Sequence, residues 1–209
     1  MKHNRKLNRR LMLCSGAALV PAILAGCASA PTLYYRLAVI PGAVNNGPVI
    51  KIGMRNVSIP GYLGQDGIAK AGSDYQFNSY PNDVWAEPLG SMLQDVTVQE
   101  LAQRLPAAAV VSSSGTIAAA ADVLIETNVL RFDPDSSGHV ILLVQIALKS
   151  GRSFQPWLVQ TFSNTATPAG ADVSSLVAAM STLWAGVIDQ LAPIVIEQWN
   201  NQAAAAAND

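Results

Sequence analysis

Residues 122–163 constrain this chain more than any other stretch. "DVLIETNVLRF" (122–132), "HVILLVQIALK" (139–149) and "FQPWLVQTFS" (154–163) are three consecutive segments of strand character. Only the turn-forming clusters "DPDSSG" and "SGRS" separate them. In the middle segment Val140, Leu142, Val144, Ile146 and Leu148 share one face, and the run between them is nearly all apolar. That pattern predicts a strand inside a sheet, covered on at least one side. Pro156 stands near the start of the third segment. Proline cannot donate to a ladder, so this segment is predicted to lie at an edge.

The remaining chain supplies more strands and two helices. "LYYRLAVI" (33–40) and "VIKIGMRNV" (49–57) read as strands, the second with Ile50, Ile52 and Met54 on one face and Lys51 and Arg55 on the other. A short strand near 67–71 and "DYQFNSY" (74–80) read as a hairpin around Gly72. From Pro88 a helix is predicted, with Leu89, Met92, Leu93, Val96, Leu101 and Leu105 mostly on one stripe and Pro106 ending it. Residues 107–121, "AAAVVSSSGTIAAAA", read as a short strand and a loop. Asp172 is the predicted N-cap of a second helix, whose stripe is Leu176, Val177, Met180, Leu183, Trp184, Val187 and Leu191. This pattern continues past Pro193 with a kink, and a disordered tail is expected over 200–209. Strand runs punctuated by two amphipathic helices predict an α+β two-layer sandwich, a mostly antiparallel sheet with both helices on one face.

The first 26 residues stand apart. "MKHNRKLNRR" is basic, "LMLCSGAALVPAILAG" is apolar with a small-residue exit, and Cys27 follows directly. This is the architecture of an export signal, and the apolar part is shorter than a comfortable membrane span. A retained signal anchor and plain secretion are the alternatives. The whole chain carries 13 Lys+Arg against 14 Asp+Glu. Removing the five basic residues of the leader leaves eight against fourteen, a net charge of −6 over 183 residues. An acidic balance argues against nucleic acid as a partner. The chain's other cysteine, Cys14, leaves with the leader, so no disulfide can form within the mature chain. The core alone must hold the fold, and the length suffices for one.

Catalytic chemistry finds little footing. After Cys14 and the leader are gone, His139 is the one histidine. With one histidine and one cysteine, the latter at the exit of the leader, neither a Cys/His zinc site nor a Cys–His dyad is expected. Asp133 and Asp135 in "FDPDSSGH" lack the remaining ligands of a calcium loop and read as a hairpin turn. The chain contains no GxGxxG, GxxxxGK[ST] or GxSxG motif. The expectation is a protein without enzymatic activity, metal or cofactor.

Several segments resemble one family. "Leu24-Ala25-Gly26-Cys27" resembles the lipobox of bacterial lipoproteins, which implies cleavage before Cys27 and diacylglycerol on its sulfur. "YYRL", "VSIPGYLGQDGIAK", "VWAEPLGSMLQDVTVQELAQRLP", "VLRFDPDSSGHVILLVQIAL" and "VSSLVAAMSTLWAGVIDQLAPIV" follow in order over roughly 33–197. Together they resemble the ABC-type transport auxiliary lipoproteins, the PqiC-like family. The resemblance implies a signal peptide over 1–26, a lipidated tether over 27–32 and one domain over 33–199. It implies an envelope lipoprotein that docks with an MCE-domain protein of a lipid transport complex. With Ala28 and Ser29 after the cysteine, and no aspartate, the outer membrane facing the periplasm is the expected address. A homo-oligomer is left open.

Partner contact is expected at Tyr62, Leu63, Trp85 and Glu87, which border the irregular segment before the first helix. Each has a plainer reading. Tyr62 and Leu63 would plug a core edge, Trp85 would staple the helix to the sheet, and Glu87 would complement the helix dipole. Two other classes stay open, a stand-alone lipid- or glycan-binding lipoprotein and a periplasmic enzyme.

Overall fold

The computed structural model describes residues 30–73, 75–112 and 121–208. The leader and Cys27 lie outside them. The elements run β1 (Leu33–Tyr35), β2 (Lys51–Met54), a 3-10 turn (Gly61–Gly64), β3 (Gly67–Lys70), β4 (Asn78–Trp85), α1 (Leu89–Arg104), β5 (Ala109–Ser112), β6 (Val123–Pro134), β7 (Val140–Ser150), β8 (Pro156–Ala166) and α2 (Val173–Ala207).

The three segments over 122–163 fold as their alternation predicts. β6, β7 and β8 form an antiparallel meander in which Val129 opposes Val144 and Val144 opposes Phe162. These three residues are buried, as are Leu142, Ile146 and Leu148. β8, with Pro156 at its start, is an edge strand. The complete sheet has the order β5-β2-β6-β7-β8. On its outer face Arg55 and Lys149 both pair with Glu126, at 3.4 and 2.5 Å.

The α+β class and the two helices match expectation, but the strands are divided and mixed. β2 runs parallel to both β5 and β6. A second sheet, β1-β4-β3, holds the predicted hairpin with β1 parallel to β4. The physical reason lies in the connections. Tight turns pair sequence neighbours antiparallel, whereas α1 carries the chain back so that β5 enters alongside β2 in the same direction.

Both helices cover the sheet face that carries Ile52, Ile125, Val144 and Phe162, and their buried residues join one core. The predicted α1 stripe, from Leu89 to Leu105, is buried throughout. Trp184 of α2 is fully buried at the junction of the layers. Its ring centroid lies 6.0 Å from that of Phe132 on β6. Its Nε1–H donates to Thr97 Oγ1 on α1 at 2.9 Å, and that hydroxyl donates to the Leu93 carbonyl at 2.6 Å. The indole N–H therefore has the partner that a buried tryptophan requires.

Asp172 caps α2 as predicted, accepting from Ser175 N at 2.9 Å and Ser175 Oγ at 2.7 Å. The helix passes Pro193 and remains helical through Ala207, where a disordered tail was the expectation. Alanine is the strongest helix former, and Trp199 tilts against Trp157 of β8 with centroids 6.2 Å apart. α2 is long and apolar enough to cross a membrane by composition, yet 56% of its most apolar window is buried within the domain. It is a core helix here.

The predicted strand over 33–40 ends at Tyr35. Beyond it the chain crosses α1 and α2, and helix side chains replace a neighbouring strand. Ala38 N donates to Ser181 Oγ at 3.0 Å, Ile40 N to Glu100 Oε1 at 2.8 Å and Gly42 N to Gln103 Oε1 at 3.0 Å. Gln103 Nε2 and Arg104 Nη1 donate to the Gly42 and Ile40 carbonyls. The donors recur at every second residue, the period of an extended chain. Beneath this segment Glu100 and Arg104 are both fully buried, and Arg104 Nε pairs with Asp189 Oδ1 at 2.6 Å.

Candidate functional site

The sheets meet at a groove on one end of the fold, about 560 Å³ in volume. The 3-10 turn places Tyr62 in its wall, opposite the end of β6 that carries Asp133. Tyr62 Oη–H donates to Asp133 Oδ1 at 2.9 Å. Arg131 Nε donates to the same oxygen at 3.2 Å. The ring of Tyr62 meets Phe77 edge-on, with centroids 5.5 Å apart and planes at 64°. Lys70 lines the same groove and sits 5.5 Å from the Tyr80 ring centroid.

Electrostatics fix the phenol as a donor. Burial raises the Tyr62 pKa, the hydrogen bond to Asp133 and that residue's charge raise it further, and Arg131 opposes them weakly. The groove therefore sets aromatic surface beside polar groups that are fixed by their mutual hydrogen bonds. Tyr75, almost fully exposed, and Phe77, 44% exposed, extend the aromatic surface toward solvent.

The four predicted contact residues divide. Leu63 and Trp85 are buried at 4% and 7% exposure and border a small void with Leu89, Phe132 and Met180. Packing is what the structure gives them, with Trp85 N also donating to the Asp66 carbonyl at 2.8 Å. Tyr62 is half-buried with its ring in the groove, and Glu87 is exposed just ahead of α1. Phe77, Arg131 and Asp133 complete the groove and were not foreseen from sequence. "FDPDSSGH" held a signal in its Asp133, but it reads equally as turn chemistry. Asp135 does serve the turn, accepting from Ser137 N and His139 N at 2.8 and 2.9 Å. Gly138 there has φ 84°, a conformation that favours glycine. Among the described residues no group of three His, Cys, Asp or Glu is placed to hold a metal ion.

Comparison with known proteins decides the relationship. The family model for the ABC-type transport auxiliary lipoprotein component matches residues 35–192. The chain belongs to this family. The match runs from the last residue of β1 into the middle of α2 and includes all of β2 to β8. A crystal structure from Xanthomonas campestris, assigned to the DUF330 family, has a TM-score of 0.72 at 16% identity, covering 83% of this chain and 99% of that one. An uncharacterised protein of known crystal structure gives 0.67 at 21% identity, covering 79% and 99%. These likenesses show that the auxiliary-lipoprotein fold is shared. Among curated proteins none matches the chain. Membership makes this a transport auxiliary component, and a lipoprotein family implies association with the cell envelope.

Proposed function

We propose that this auxiliary lipoprotein is a non-catalytic, lipid-anchored adaptor of an MCE-type lipid transport system, held at the outer membrane through Cys27 and facing the periplasm. The observation that carries the reading is the family match across nearly the whole folded domain. The leader and lipobox-like "LAGC" support the anchor. The groove supports contact rather than turnover, since its phenol is held protonated and its carboxylate is tied to Tyr62 and Arg131. Tyr62 and Glu87 would offer the contact surface, with Leu63 and Trp85 stiffening the segment behind them. A stand-alone lipid carrier would want a large apolar cavity between sheet and helices. The void bordered there by Leu63, Trp85, Phe132 and Met180 is about 10 Å³, far below the roughly 300 Å³ at which ligand pockets begin.

The test is co-purification of the full-length protein with the MCE component from detergent-solubilised envelopes. Association that weakens in Tyr62→Ala supports the adaptor. The reading fails if the two never associate and a soluble, Cys27-less domain restores envelope integrity to a deletion strain.

A further inference from the structure

The segment that leads into the domain from its amino-terminal side is bound first by a short ladder and then by helix side chains. β1 is the edge of the smaller sheet, three residues long, with Leu33 50% and Tyr34 72% exposed. It is held by its ladder to β4, by Tyr35 Oη–H donating to Asp83 Oδ1 at 2.9 Å and by Ala86 N donating to the Tyr35 carbonyl. From Ala38 to Asn45 the bonds run instead to Ser181, Glu100, Gln103 and Arg104, ending with Asn45 N on the Arg104 carbonyl at 2.7 Å. Leu37 is the one residue of 33–46 in the fully buried class. A segment with so little buried apolar surface has a low free energy of local opening.

What lies beneath lowers that cost further. Glu100 and Arg104 have no solvent exposure, and Glu100 Oε2, 3.6 Å from Arg104 Nη1, lacks a hydrogen-bond partner. Docking the segment keeps water from two charges, and undocking returns water to them. Asp189, the third charge of the cluster, is already half exposed on α2. Closure also depends on one small residue. A Cβ at Gly42 would overlap Asp189 Oδ1 and the Arg104 guanidinium, so only glycine lets the backbone approach this closely.

We propose that residues 33–46 form an arm that undocks from β4, α1 and α2 as a unit while the five-stranded sheet stays folded. The docked arm draws the domain in, and the undocked arm lets it out. Fourteen extended residues span roughly 45–50 Å. Where Cys27 carries the lipid, as proposed above, arm release changes how far the domain reaches from its membrane. The opening itself does not depend on that reading.

Hydrogen exchange on the full-length protein in detergent tests the arm. The Ala38, Ile40 and Gly42 amides are expected to exchange at least tenfold faster than Val144 and Leu142, with little dependence on denaturant. In Gly42→Ala they should speed up at least tenfold more while Val144 is unchanged. Exchange of arm and sheet amides with one shared free energy and denaturant slope would overturn the proposal, as would equal acceleration of both in the variant. If Gly42→Ala does not fold, the wild-type comparison decides alone. A stable dimer with exchanged arms would also overturn it, because the arm would then leave one body only to staple another.

Discussion

Thr97 and Glu100 lie one helical turn apart on α1, and burial gives them opposite consequences. The Thr97 hydroxyl is fully satisfied, accepting from Trp184 and donating to Leu93. Thr97→Val keeps the shape and strands the indole N–H, so it should cost about 1–3 kcal/mol in denaturant unfolding. Thr97→Ser, which keeps the hydroxyl, should recover most of that loss. Glu100 is poorly served by contrast. Burial raises its carboxyl above the ordinary 4.5, against the Ile40 N–H and Arg104, with Asp189 adding to the rise. The folded state then holds this proton more tightly than the unfolded chain. Glu100 favours folding below about 4.5 and loses that advantage as pH rises through its elevated value. Glu100→Gln should therefore gain stability relative to wild type as pH rises from 4.5 to 8. Parallel melting curves across that range would show that the carboxyl is better accommodated than its surroundings indicate.

Elements whose partners are close in sequence are the ones that carry the strongest local signals. Val144 lies at the centre of β7 with no exposure, so Val144→Asp would bury an unpaired charge. Little folded protein should survive, given that whole domains hold only about 5–15 kcal/mol. Leu183→Ala on α2 should cost roughly 2–5 kcal/mol, read from urea unfolding. Unchanged melting in both would mean that the core lies elsewhere. The meander, both helix stripes and the Asp172 cap were legible because each depends on residues within a few positions. The parallel placement of β2 was not, because its partners Val110 and Val123 stand far along the chain beyond α1. The arm was misread as a longer strand for the same reason. Its apolar, β-rich residues are real, but the groups that bind it belong to helices some 60 and 140 positions away. At the groove Tyr62 was legible as an aromatic in a Pro/Gly loop, whereas Phe77 and Arg131 carry no local mark of meeting it.

At the scale of the whole molecule, anchoring and folding become separable questions. Cys27→Ser should leave a larger, unacylated precursor in cell fractions, detected by its mobility and by failure to incorporate labelled palmitate. Normal maturation of that variant would remove the lipoprotein anchor from the account. The described residues contain no cysteine, so the fold should be indifferent to this change, and the melting temperature of the soluble domain reports on it. The sheet order has a consequence for synthesis. β2 lies between β5 and β6, and neither exists until residues 109–125 have been made. Parallel strands cannot be completed by a local turn. An exported chain that emerges amino terminus first must therefore carry Ile50, Ile52 and Met54 uncovered while some 60 further residues arrive. The strand of this sheet that is made first is therefore left without either neighbour for the longest time, an interval in which its apolar residues are open to chaperones.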